Sequence, residues 1–246
     1  LLAPLKTMAN KGHIIVPSGL TPVHSFDLWG PVIDSVELGM QQLAFFKEVA
    51  AGELPPEEIE KLTSDYVALL RGEPWATQGD EKRRIAGAIK QYTAGKFEGD
   101  FSTTYQLDGL QAMREIIDAG ERVSIFSTMP VEGTIENLPE DIRERLVGVI
   151  YANDLETANS KSEASAYHEI NDMLAGRKMR MVSHTADELP ELEAAVQSGL
   201  FAGNQGLTVF VNRNDQVSPD LAKGKGIDLY VNDLGTIPYG SLVRDK

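Results

Sequence analysis

Short apolar runs alternate with amphipathic stretches along this chain. The first run that reads as a strand covers residues 22–27 and stops at the turn-forming set Trp29, Gly30 and Pro31. Beyond it, Val36, Met40, Leu43, Phe46 and Val49 recur at helical spacing and predict a helix over 32–51. Pro55 and Pro56, followed by Glu57 and Glu58, give the proline and acids of a helix's first turn, and that helix runs to about Gly72. The same patterning predicts helices over 81–93 and 107–119. After Gly120 the texture changes. Strands are predicted over 123–127, 146–151, 179–183, 207–212 and 227–231, separated by helices over 140–146, 165–175 and 189–198.

Strands that alternate with helices imply an α/β fold, a Rossmann-like parallel sheet covered on both faces. One interval breaks the alternation. Roughly 95 residues separate the first strand from the one at 123, with no strand between them, whereas a crossover needs about a dozen. The reading is a core of residues 1–34 and 106–246 with a helical cap inserted at 35–105. An insert that leaves a strand at the ligand-binding end of a parallel sheet is expected to act as a lid.

Composition narrows the chemistry. There is no cysteine, which excludes thiolate nucleophiles, disulfides and cysteine-bound metals, and fits a reducing compartment. The net charge of −14 disfavours nucleic acid and anionic membranes as partners. No apolar run approaches a membrane span, and the first residues lack the basic start and apolar centre of a secretory signal. A cytoplasmic location is therefore expected, with a small anionic molecule as the partner.

Ligands of open parallel sheets bind beyond the carboxyl ends of the strands. The residues expected there are Asp27, Ser127 with Thr128, Asp154, and Ser183 with His184, and Lys161 precedes a helix. A carboxylate can form a covalent ester or acyl phosphate. A lysine beside it keeps it ionised and offsets substrate charge, and a hydroxyl can donate to a substrate oxygen.

In order and spacing this set resembles the haloacid dehalogenase superfamily. Phe26-Asp27-Leu28-Trp29-Gly30-Pro31-Val32-Ile33-Asp34 is similar to its opening Phe-Asp-x-x-Gly-Thr-Leu-x-Asp. The strand ending at Ser127 resembles its second motif, and Lys161 through Tyr167 its third. Val182-Ser183-His184-Thr185-Ala186-Asp187-Glu188, leading to Ala194-Ala195 and Gly199, resembles its fourth, and Val211-Asn212-Arg213 follows. The resemblance implies Asp27 as covalent nucleophile, Lys161 as its charge partner and Ser127 as a hydrogen-bond donor. Trp29, Thr128, Ser183 and His184 are the implied substrate contacts.

The departures point within the superfamily. Its magnesium phosphatases carry a general-acid aspartate where this chain has Trp29, and Gly-Asp where the fourth motif is read as Ser183-His184. Its metal-independent 2-haloacid dehalogenases carry an aromatic residue at the former position and Val-Ser at the latter. Halide leaves without a proton, so Trp29 costs that chemistry nothing. The leading expectation is carbon–halogen hydrolysis of a small carboxylic acid through an aspartyl ester, with no metal required. The first alternative is a Mg2+-dependent phosphatase of a small phosphorylated metabolite, with Asp27, Asp187 and Glu188 at the metal. The second, motivated by Trp29, Pro31 and His184, is a binding protein that kept the fold and lost the chemistry.

Overall fold

The computed structural model describes residues 13–77, 79–99, 104–127, 135–158, 160–213 and 217–245. The strands are β1 (Ile14–Val16), β2 (Thr21–Phe26), β3 (Arg122–Ser127), β4 (Leu146–Tyr151), β5 (Met179–Ala186), β6 (Leu207–Val211), β7 (Leu229–Val231) and β8 (Val243–Asp245). Six of them form one sheet in the order β4-β3-β2-β5-β6-β7, with every pair parallel. The fold is the α/β architecture with a parallel core that the alternating pattern predicts. β1 and β8, which no sequence pattern singled out, pair in parallel as a separate two-stranded sheet.

The helices are α1 (Ser35–Ala50), α2 (Pro56–Leu70), α3 (Pro74–Thr77), α4 (Gly79–Thr93), α5 (Leu107–Asp118), α6 (Glu140–Arg143), α7 (Ala164–Ala175), α8 (Leu189–Gln197) and α9 (Pro219–Gly224). Two compact units result. One comprises Leu1–Ile33 with Tyr105–Lys246, the other Asp34–Thr104.

The second unit is helical, α1 to α4, around Leu43, Phe46, Leu62, Tyr66, Ile85 and Ile89. Its first helix starts where Asp34 Oδ1 accepts the Val36 and Glu37 amides, each at 3.0 Å, so α1 begins three residues later than its apolar spacing suggests. Inside it, Tyr66 donates to Gln42 Oε1 at 2.7 Å, and Gln42 Nε2 donates to Thr93 Oγ1 at 2.9 Å.

In the sheet unit, Val23, Phe126, Tyr167, Ile170, Met181 and Ala195 pack one face, while Ala186, Leu192, Phe210, Ala222 and Ile227 form a second cluster. β3 and β6, buried on both faces, read as apolar runs rather than alternations.

β5 is the informative exception. It extends to Ala186, three residues past the predicted end at Ser183. Polar Ser183, His184 and Thr185 suggest a loop in the sequence, yet all three are fully buried. Each finds a partner on another element: Ser183 on His24 (2.7 Å), His184 on Ser25 (3.2 Å) and Thr185 on Tyr239 (3.1 Å). Burial without such partners would cost about 1–3 kcal/mol per group.

The order of the strands fixes where a ligand can bind. From β2 the chain adds β3 and β4 on one side, then β5, β6 and β7 on the other. The switch point lies between β2 and β5, at their carboxyl ends.

Candidate active site

Asp27 follows β2 at that switch point. Its amide extends the ladder to Thr185 O at 2.8 Å, and the residue is 4% exposed. The turn after it is tightly fastened. Gly30 N donates to Ile33 O (2.8 Å) and Ile33 N to Leu28 O (2.9 Å). Arg213 holds the outside of the turn: Nε donates to Gly30 O and Nη2 to Pro31 O, each at 3.1 Å, and Nη2 also meets Asp108 Oδ1 at 2.9 Å. Gly30 has φ +87°, and a methyl there would stand 2.0 Å from Asp187 Oδ2. Only glycine suits both the left-handed backbone and the approach of that carboxylate.

Lys161 lies three residues before α7, and its Nζ is 2.7 Å from Asp27 Oδ2 and 2.7 Å from Glu191 Oε2. All three groups are buried. Lys161 thus makes a close ion pair with each carboxylate. The other oxygen of Glu191, Oε1, lies 2.7 Å from His184 Nε2. Glu191 is in the first turn of α8, and Tyr167 OH donates to its carbonyl at 3.0 Å, tying α7 to α8. One oxygen of Asp27, Oδ1, is buried with no partner.

The electrostatics follow from one cation among several acids. Burial, then the charge of Glu191, push Asp27 up to about 7, against the pull of Lys161. Burial pushes Glu191 up to about 7 as well. Asp187 is raised to about 8 by burial, then by Asp27, Glu188 and Glu191. Lys161 is raised above its ordinary range because the two carboxylates outweigh its desolvation. His184 is pushed down to about 3 by burial, then by Lys161, and is therefore a neutral imidazole.

Among the residues singled out from sequence, Asp27 and Lys161 are in contact, and Asp187 lies against Gly30 at the same edge. Ser127 ends β3 on that edge and is fully buried. Trp29 is half-buried, with its indole Nε1 shielded and unpartnered. Thr128 lies outside the described residues. Glu188 is exposed, at the cap position of α8.

The placement of Ser183 and His184 at a strand end is corrected. They lie inside β5, satisfied by His24, Ser25 and Glu191, and the strand end is Ala186 followed by Asp187. Asp187 is therefore the first residue past the strand end. Sequence reasoning passed over Glu191. The signal available was an acid at the start of a helix one turn after Asp187, which reads equally as ordinary capping chemistry.

The donor set suits a hard cation. Asp27 and Asp187 bring two carboxylates to the same edge beside a single lysine. Among the described residues no three acidic or imidazole side chains form a ready-made cage. Mg2+ does not need one, because it keeps several waters and is bound by one or two carboxylates plus substrate oxygens.

No protein-family model matches the sequence, and no curated protein sequence matches it. Solved structures do resemble it. A HAD phosphatase from Thermococcus onnurineus is 14% identical, with 87% of this chain and 94% of that one covered at a TM-score of 0.51. A predicted phosphatase from Clostridium acetobutylicum is 14% identical, covering 87% and 95%, at 0.50. A dehalogenase is 17% identical, covering 87% and 94%, at 0.48. At such identities the likeness is one of architecture. The sheet order and the two phosphatase neighbours agree that the chain has the Rossmann-like fold found in the haloacid dehalogenase superfamily.

Proposed function

We propose that this protein is a hydrolase that acts on a small anionic substrate through a covalent intermediate on Asp27. The observation that carries this reading is the pairing of Asp27 Oδ2 with Lys161 at 2.7 Å while Oδ1 is buried and unpartnered. Lys161 holds one oxygen, which fixes the carboxylate and favours its ionised form. The other oxygen is left to attack. Glu191 holds the lysine from the far side, so its ammonium stays against Asp27 rather than swinging to solvent.

Within this class, the surplus of acid favours Mg2+-dependent phosphoester hydrolysis. Asp27, Glu191 and Asp187 share one lysine; burial raises all three, and repulsion from neighbouring acids adds to it. An anionic substrate would add to that repulsion unless a cation entered with it. Asp27 and Asp187 are the residues that would hold Mg2+. Glu188, exposed at the helix cap, is the further acid the sequence offers. When bound, the ion would neutralise charge on the phosphoryl oxygens.

The metal-independent dehalogenase reading is favoured by a separate observation. Trp29 occupies the position of the general acid, and an indole cannot donate a proton to a leaving group. The paired assay follows phosphate release from p-nitrophenyl phosphate and halide release from 2-chloropropionate, each with Mg2+ and with chelator. Phosphate release lost on chelation supports the phosphatase form. Chelator-resistant halide release supports the dehalogenase form. Asp27→Asn abolishes either activity, and turnover that survives it would refute Asp27 as nucleophile. Silence of the folded wild-type protein with both substrates would move the weight to a binding role.

A further inference from the structure

The central strands carry the same polar device twice. β2 contributes His24-Ser25 and β5 contributes Ser183-His184, in a register that pairs His24 with Ser183 and Ser25 with His184. Neighbouring residues of a strand point to opposite faces, so one histidine–serine pair lies on each face. On one face His24 Nδ1 meets Ser183 Oγ at 2.7 Å, and its Nε2 meets Glu121 Oε2 at 2.5 Å. On the other, His184 Nδ1 meets Ser25 Oγ at 3.2 Å, and its Nε2 meets Glu191 Oε1 at 2.7 Å. Both histidines are fully buried. Among the described residues, only the His184 pair continues, through Glu191 Oε2 to Lys161 and on to Asp27.

We infer that His184 is a positioning residue for the active site: held by Ser25, it fixes the Glu191 carboxylate that in turn holds Lys161 against Asp27. The reading rests on the proposed role of Asp27.

The hydrogen-bond network sets the direction of the relay. A neutral imidazole carries one N–H. Glu191 Oε1 needs a donor, so the proton is on Nε2, and Nδ1 accepts the Ser25 hydroxyl. His184 is therefore oriented from behind before it reaches Glu191. Its ring is also walled by Tyr167, with centroids 5.2 Å apart, and by Phe126 at 6.1 Å. Lys161 pairs with Glu191 Oε2, and His184 holds the other oxygen, Oε1, from its locked ring. An ion contact tolerates rotation of the carboxylate, whereas a hydrogen bond from a locked ring does not.

The twin unit supplies an internal control, for His24 is equally buried and bonded but ends at Glu121. The first arm compares His184→Leu, His184→Gln and His24→Leu in the full chain. Glutamine keeps an N–H donor near the Nε2 position. His184→Leu is expected to lower kcat by about tenfold to a hundredfold, the size seen when a partner behind an active group is lost, with little change in KM. His184→Gln is expected to recover most of that loss. His24→Leu is expected to lower Tm while kcat per folded molecule is unchanged. Equal kcat for His184→Leu and His24→Leu, or a His184→Gln as impaired as His184→Leu, overturns the inference.

The second arm does not depend on turnover. In the 15N–1H spectrum of histidine-labelled protein, Lys161→Arg is expected to shift the His184 Nε2–H resonance and leave that of His24 in place. A His184 resonance that does not move overturns the inference. A wild-type protein that hydrolyses neither substrate yet shows this shift would refute the proposed reaction while the relay stands.

Discussion

The crowding of carboxylates at the switch point makes a prediction about stability and pH. Asp187 is raised from 3.8 to about 8, and Asp27 and Glu191 to about 7. In the unfolded chain all three are ionised by about pH 5, while the folded site still holds protons. Raising the pH to 8 strips those protons from the folded state alone. The stability these groups confer is therefore fully present below about pH 4 and is lost as the pH climbs through 7 to 8. At about 1.4 kcal/mol per pH decade, an isolated carboxyl raised as far as Asp187 would cost about 5–6 kcal/mol. Burial is the largest cause for all three, and Glu191 raises Asp27 while Asp27 and Glu191 raise Asp187; their contributions therefore overlap rather than sum, and Asp187 is only partly buried. We expect a fall of about 2–4 kcal/mol in unfolding free energy between pH 5 and pH 8. Asp187→Asn removes one of the repelling charges. It should leave stability at pH 5 nearly unchanged and raise it at pH 8, flattening the profile. Urea denaturation followed by tryptophan fluorescence, in chelator and at several pH values, measures both curves. A wild-type profile that is flat or rising between pH 5 and 8 would refute the reasoning, as would an Asp187→Asn protein destabilised equally at both ends.

Other perturbations test neighbouring parts of the structure. Mg2+ in millimolar excess should raise Tm at pH 8 by more than at pH 5, because it must displace protons from Asp27 and Asp187; chelator should reverse the gain, and an equal shift at both pH values would count against a carboxylate site. Lys161→Met leaves two buried carboxylates facing each other and should cost about 3–5 kcal/mol at pH 8, with less lost at pH 5, as read by the same denaturation. Gly30→Ala places a methyl 2.0 Å from Asp187 Oδ2 in a left-handed turn; backbone strain alone costs about 1–2 kcal/mol, and turnover should fall as Asp187 is displaced. Phe46→Ala, at the centre of the helical unit, should cost about 3–5 kcal/mol in the unfolding of that unit.

The sequence by itself determined the elements and the chemistry available at one edge. Periodicity gave the alternation of strands and helices, because apolar spacing depends on local geometry alone. The resemblance singled out Asp27 and Lys161, which share a 2.7 Å contact across 134 residues of chain. What it could not give was the fate of polar residues whose partners lie far away. Ser183, His184 and Thr185 look like the end of a strand, and only the register of β2 against β5 turns them into its interior. That three-residue extension moved the strand end to Ala186 and brought Asp187 to the site. Glu191 is an unremarked helix-start acid in the sequence. In the fold it is buried between Lys161 and His184, where desolvation and charge change what a carboxylate does. Local pattern decides where backbone turns and strands form. Long-range pairing decides which buried polar groups are satisfied, and that sets both the strand ends and the charges of the site.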